Sequence, residues 1–349
     1  MRCPRRILAL GGFALLAFFA TIQPLRPSRA DSDHILNIYS ARRTPVDAQL
    51  YQLFTEKTGI TINVVQSKPS ELLQRIKLEG DNSDADIFVT VDANDLWRAA
   101  DYKLLQPVSS TELAAQVPAK MRDPQNRWFA FSSRARVIVY DKSKVKLSKL
   151  STYEALADPK WQSEILTRSA TADDIQAMVA TMIDAIGADR TQAWARGMAQ
   201  NFGRQPEGSD GDQVVAMLAG NGSIALCSSD KIARLFTTQD PTLKQSLQHI
   251  GIFFPNQQDR GVHIDLAGGG VAAHAPHLAN AVKFLEFMVS PEAQRLIADV
   301  GFQYPVRADV APNPVVAGWG SFKADDPRVE ALARNNGAAI LLMSRAGWQ

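Results

Sequence analysis

From residue 35 onward the chain alternates short apolar runs with amphipathic stretches. Residues 35–40 (ILNIYS) read as a buried strand. Over residues 46–57, Val46, Leu50, Leu53 and Phe54 recur at helical spacing, and Gly59 follows as a stop. Residues 60–65 (ITINVV) alternate as a strand. Residues 70–79 predict a helix with Ser70 as its N-cap and Leu72, Leu73 and Ile76 turned inward. Residues 86–91 (DIFVTV) predict a strand, and residues 94–100 open a further helix. Strand–helix–strand–helix–strand implies a parallel sheet covered by helices. The pattern then repeats. Strands are predicted at 136–140, 223–227 and 250–254, and helices at 172–186, 213–218 (stopped by Gly220), 230–236, 278–289 and 292–300. Gly268-Gly269-Gly270 reads as a turn or a close backbone approach. The expected fold class is α/β, with two lobes joined by strands near 131–140 and 250–256 and no short-period repeat.

Residues 1–30 follow a different pattern. Arg2, Arg5 and Arg6 precede an apolar run over residues 7–22, and Ser28-Arg29-Ala30 places small residues at −3 and −1 of a cleavage site. The run falls short of the ~20 residues of a spanning helix, so a cleaved export signal is favoured over an anchor. Arg5-Arg6 also resembles a twin-arginine signal, beside the ordinary secretory route. The expected mature chain starts at Asp31 and is periplasmic. This changes the charge picture. The whole chain has 38 basic and 36 acidic residues, but all five arginines of residues 1–30 would leave with the leader. The remaining 33 basic and 36 acidic residues give a net charge of −3, which offers no bulk attraction to nucleic acid or anionic membrane. Cys3 would leave too, so Cys227 would be the only thiol, with no disulfide partner. It closes an apolar strand, where a buried, inert thiol is expected.

In open α/β sheets ligands sit beyond the carboxyl ends of the strands. That rule selects Arg42, Arg43 and Thr44 after the first strand, Asp92 after DIFVTV, and Ser228, Ser229, Asp230 and Lys231 after SIALC. Other chemistry fares less well. Ser228 or Ser229 could be grouped with His263 and Asp265, but no G-x-S-x-G turn is present and helix capping explains the serines better. Phosphate-cradling and dinucleotide-binding glycine motifs are absent. His274 and His277 lie three apart without an acid or thiol at zinc spacing, and a solvated helix start is expected there. Asp173-Asp174 and Asp230 suit the first turns of helices, where the helix dipole favours acids. Arg134, Arg136 and Arg234 would form a site only by converging.

Several segments carry a family resemblance: IYSARRTPVDAQLYQLFTEKTGI, DADIFVTVDANDLWRAA, RARVIVYDKSKV, GRQPEGSDGDQVVAMLAGNGSIAL, FFPNQQDRGVHIDLAGGGV and YPVRADVAPNPVVAGWGSFK. In order and spacing, from about residue 35 to 323, they resemble the periplasmic ferric-iron-binding proteins of ABC importers, closest to their tyrosine-rich class. The resemblance implies a type II periplasmic-binding-protein fold that closes on its ligand like a clamp. The implied N-terminal lobe is 31–133 plus 257–306, and the C-terminal lobe is 134–256 plus 307–349. It also implies a monomeric, non-enzymatic receptor that delivers its solute to an ABC permease in the inner membrane. A sensor that docks on a signalling partner, and a periplasmic hydrolase, are the rival roles.

The family's ligand tyrosines are replaced. Thr44 stands where R-H-Y would place one, Asp174 aligns with the tyrosine of S-N-I-Y-N-Q, and Asp230-Lys231 align with a tyrosine pair, while Arg134 and Arg234 match the family's arginines. The implied ligand set is Arg43, Thr44, Asp92, Arg134, Asp174, Asp230, Lys231 and Arg234, with no metal held directly by the protein. Lysine and arginine in such a site repel a bare cation. The expected cargo is an anionic or zwitterionic solute or an intact metal chelate, with Fe(III) or a ferric chelate as the family's own ligand.

Overall fold

The computed structural model describes residues 34–326 and 328–349. The export signal and the cleavage site after Ala30 therefore lie outside the described residues.

The first three strands are β1 (Ile35–Ser40), β2 (Thr61–Gln66) and β3 (Ile87–Thr90), and both β2 and β3 pair with β1 in parallel. Helices α1 (Asp47–Thr58), α2 (Pro69–Glu79) and α3 (Ala93–Asp101) connect and follow them, as the periodicity predicts. One cap differs. Ser70 lies inside α2 and Lys68 is the N-cap, because Pro69, its φ already helical, starts the helix one residue earlier. Asp92 caps α3 by accepting from the Asn94 amide at 2.8 Å. Helix α4 (Thr111–Gln116) follows.

Strand β4 (Phe129–Asp141) is far longer than the predicted 136–140 and is buried almost throughout. Its first half pairs with β8 (Ile264–Val271) and β9 (Tyr304–Pro305). Its second half pairs with β6 (Ile224–Ser228) and β7 (Ile250–Phe253). β5 (Ile165–Leu166) pairs with β6 in parallel. The resulting order is β2-β1-β3-β8-β4-β6-β5, so two groups of strands share β4. The chain crosses back between Phe253, the end of β7, and Ile264, the start of β8, a span that overlaps the expected 250–256.

The triple glycine is not a turn. It lies within β8, where Gly268, Gly269 and Gly270 pair with Thr90, Val89 and Phe88 of β3. The expected close approach is present: a Cβ on Gly268 would stand 2.3 Å from the Phe129 carbonyl oxygen, and one on Gly270 2.3 Å from that of Arg127.

Helices α5 (Asp173–Ile186), α7 (Asp210–Leu218), α8 (Ser229–Phe236), α10 (Leu278–Met288) and α11 (Pro291–Asp299) match predicted helices, whereas α6 (Ala188–Asn201), α9 (Pro241–Leu247) and the short α12 (Pro314–Ala317) were not foreseen. The last helix, α13 (Val329–Ala346), was also not foreseen. It packs on α5 and α6 and also touches α3, so it reaches from one strand group to the other. Among the described residues, no helix is long and apolar enough to cross a membrane.

Candidate functional site

The ends of β1, β3 and β6, the start of α5 and the middle of β4 converge on one cavity of about 310 Å3. Arg43 and Thr44 come from the loop after β1. Their neighbour Arg42 is fully buried, paired with Asp47 at 2.9 Å, and fixes that loop from behind. Val91 and Asp92 follow β3. Arg134 projects from β4 and donates to the Val91 carbonyl at 2.8 Å, with Asp265 at 3.9 Å. Asp174 enters from the first turn of α5, and Lys231 from that of α8.

Six of the eight residues expected from sequence therefore line the cavity: Arg43, Thr44, Asp92, Arg134, Asp174 and Lys231. Asp230 and Arg234 do not. Asp230 is buried, and its carboxylate accepts from the Ser228 hydroxyl at 2.7 Å. Arg234 donates to the Val300 carbonyl at 2.9 Å, and its guanidinium lies 5.2 Å from the centre of the Phe302 ring. The reason is helical geometry. Positions 230 and 234 share one face of α8, and Lys231 lies about 100° around it. Sequence reasoning also left out Asp95, Arg168, Asp173 and Asp210, which belong to the same wall. Asp95 and Asp173 stand in first turns of helices beside residues that were selected. Arg168 lies in a polar loop with no pattern to mark it.

The charges are organised in two parts. Behind the cavity, fully buried Arg136 bonds to Asp174 and, at 3.3 Å, to Asp210, with Asp265 at 3.8 Å. Arg168 donates to the same Asp174 oxygen at 2.8 Å. Burial alone would raise the Asp174 carboxyl, but these two guanidiniums hold it well below the usual carboxylate range. Asp174 is thus a neutralised anchor for two arginines. Burial pushes Asp210 up to about 6 against the pull of Arg136. At the front, burial raises Asp92, with Asp95 and Asp265 adding to it, and burial together with Asp173 pushes Asp95 up to about 6 against Arg98. Asp173 is raised by burial and by Asp174.

The alternative chemistries are not assembled. Ser229 accepts from the Ala135 amide at 3.0 Å and Ser228 donates to Asp230, while the His263 ring meets Asp265 at 3.2 Å, so neither serine bonds to the histidine. His277, expected to be solvated, instead bonds through Nδ1 to fully buried Asp86 at 2.9 Å. No group of three or more His, Cys, Asp or Glu residues is arranged to hold a metal ion among the described residues. Cys227 is buried, and burial pushes its thiol up, as expected of an inert thiol. None of the six tyrosines lines the cavity. Tyr39, for example, donates to Glu79, and Tyr153 to the Arg136 carbonyl.

Two strand groups sharing a long central strand, with polar loops meeting at a cleft, define a type II solute-binding protein. The chain belongs to the bacterial extracellular solute-binding protein family, whose model matches residues 49–327. It is 43% identical over 314 residues to iron uptake protein A1 of Synechocystis sp., covering 90% of this chain and 87% of that one. It is 38% identical to iron uptake protein A2 of the same organism, over 99% of this chain and 98% of that one. A Trichodesmium protein solved with iron and citrate ligands superposes with a TM-score of 0.85 at 45% identity, covering 90% of this chain and all of the other. The resemblance to ferric-iron-binding proteins read from the sequence therefore holds, and the chain is the periplasmic solute-binding component of an ABC import system.

Proposed function

We propose that this receptor captures an intact anionic complex of the ferric–carboxylate kind, or a related organic anion, and not bare Fe(III). The observation that carries this reading is the lining itself: Arg43, Arg134, Arg168 and Lys231 border the cavity, no phenol does, and of its five aspartates Asp174 and Asp210 are already paired with Arg136. Fe(III) held directly by a protein calls for hard anionic oxygens, and guanidinium and ammonium groups beside it would oppose binding. The same groups recognise carboxylate oxygens, with arginine able to do so in a bidentate manner. A relative solved in complex with iron and citrate ligands supports the class of ligand. On this reading the protein is a monomeric carrier without catalytic activity. Its leader is removed after Ala30, and the loaded form is presented to a permease.

Ferric citrate added to protein purified from the periplasm, with Asp31 as its N-terminus, tests this. The melting temperature should rise without a visible tyrosinate-to-iron band. Arg134→Ala should weaken binding by about 1.5–3 kcal/mol, roughly ten- to a hundredfold in Kd by calorimetry. A red protein, or unchanged affinity in Arg134→Ala, overturns the reading.

A further inference from the structure

The main cavity is not lined by arginines alone. Asp92, Asp95 and Asp173 line it too, and the same three carboxylates line a second cavity of about 370 Å3. They approach from opposite sides. Asp92 and Asp95 stand at the start of α3, after β3, and Asp173 opens α5 in the other strand group. Asn94 lies in the same wall. It is only 8% exposed, and its Oδ1 has no hydrogen-bond partner. A buried acceptor without a donor is unfavourable, and a donor brought by a ligand removes that cost.

The chain's own cations satisfy this corner only in part. Arg98 reaches Asp95 Oδ1 at 3.3 Å, and exposed Lys68 stands at the edge of the wall. Burial raises all three carboxyls, and neighbouring aspartates add to it: Asp95, Asp265 and Asp173 at Asp92, Asp173 at Asp95, and Asp174 at Asp173, against the pull of Arg98 on Asp95 and of Arg168 and Arg98 on Asp173. A multivalent metal ion fits poorly, since Arg98 and Lys68 share the wall and no metal-holding group of three is formed among the described residues. A primary ammonium fits better: it carries a single charge, and its three N–H donors can serve separate acceptors.

We propose that this acidic corner is a subsite for an ammonium group, so that the solute is a zwitterion, its acid end at Arg134 and Arg168 and its amine end between Asp92, Asn94, Asp95 and Asp173. The proposal rests on the anion-binding reading of the main cavity and narrows its ligand class. Arg134, Arg168, Asp92, Asp95 and Asp173 all line the main cavity, so both ends of one short molecule would meet their partners there.

The test compares matched probes by calorimetry on the mature protein. Alanine, 4-aminobutanoate, 6-aminohexanoate and 3-aminopropylphosphonate are paired with propanoate, butanoate, hexanoate and propylphosphonate, and ferric citrate is included alongside. At least one amine-bearing probe should bind tenfold or more tighter than its amine-free partner. Asp173→Asn should bring that ratio to within threefold, with an unchanged far-ultraviolet circular dichroism spectrum showing that the variant is folded. Asp95→Asn should act in the same direction. Equal binding within every pair, or a ratio that survives both substitutions, overturns the ammonium subsite. If ferric citrate binds and no zwitterion does, the subsite falls and the anion reading stands. If no probe binds at all, both fall.

Discussion

Asp95 shows how the site makes individual residues work against the fold. A free aspartate titrates near 3.9, whereas burial and the facing Asp173 hold Asp95 at about 6. The folded state therefore binds more protons than the unfolded chain between about pH 4 and 6. The contribution of Asp95 to stability is fully present below the lower value and is lost as pH rises through the upper one. Replacing it with a neutral isostere removes that loss while keeping an acceptor for the Thr90 hydroxyl, which donates to Asp95 at 3.3 Å. The ligand-free Asp95→Asn variant should melt above the parent at pH 7.5, and the gap should close toward pH 4.5. Scanning calorimetry at the two pH values checks this, and a gap independent of pH would contradict it. The behaviour suits a binding site: a carboxyl raised by burial and by a facing acid gains from a donor that a ligand brings.

At the scale of elements, β8 is the instructive strand. It is fully buried between β3 and β4, yet its segment IDLAGGGV carries three glycines that weaken a strand on propensity alone. They are there because neighbouring backbone comes too close for a side chain. At Gly268 a Cβ would meet the Phe129 carbonyl oxygen at 2.3 Å and the Ala130 Cα at 3.0 Å, and backbone cannot rotate away as a flexible side chain would. Gly268→Ala should destabilise the protein by ~1–3 kcal/mol, as overpacking does, seen as a melting temperature several degrees lower. An unchanged melting temperature would show that β4 shifts freely. The position also matters to the cleft, because β4 carries Arg134 a few residues on, opposite Asp265 of β8.

At the scale of the molecule, β4 joins the two strand groups. Residues up to Ala135 pair with β8, and those from Arg136 with β6. Arg134, which lines the cavity, and Arg136, buried behind it, flank that switch, so bending there would move the cavity walls relative to each other. The lobes 31–133 plus 257–306 and 134–256 plus 307–349 should then close as bodies about β4 and the return crossing before β8. Helix α13 touches α3 as well as α5 and α6, so closure also requires sliding at that contact. Small-angle scattering should give a smaller radius of gyration at saturating ferric citrate than without it. The same radius in both states would count against the clamp.

Local pattern is enough for the α/β class and the two-lobe organisation, and strand ends mark Arg43, Thr44, Asp92 and Lys231, which line the cavity, since periodicity and strand ends are properties of neighbouring residues; Arg134 and Asp174 come from the family resemblance. The tyrosine replacements, too, were legible as letters. Three kinds of information needed the tertiary structure. The Gly268–Gly270 segment has no side chains to make a pattern, and its strand character comes from β3 and β4 alongside it. The family resemblance selects Arg234 and Asp230 together with Lys231, but the turn of α8 sends Arg234 to the Val300 carbonyl and buries Asp230 against the Ser228 hydroxyl. Arg136 of β4 and Arg168 of the loop after β5 converge on Asp174 from separate parts of the chain. Whether an acid is an open ligand or a neutralised anchor depends on the charges that long-range packing places around it, and no local stretch of sequence contains those.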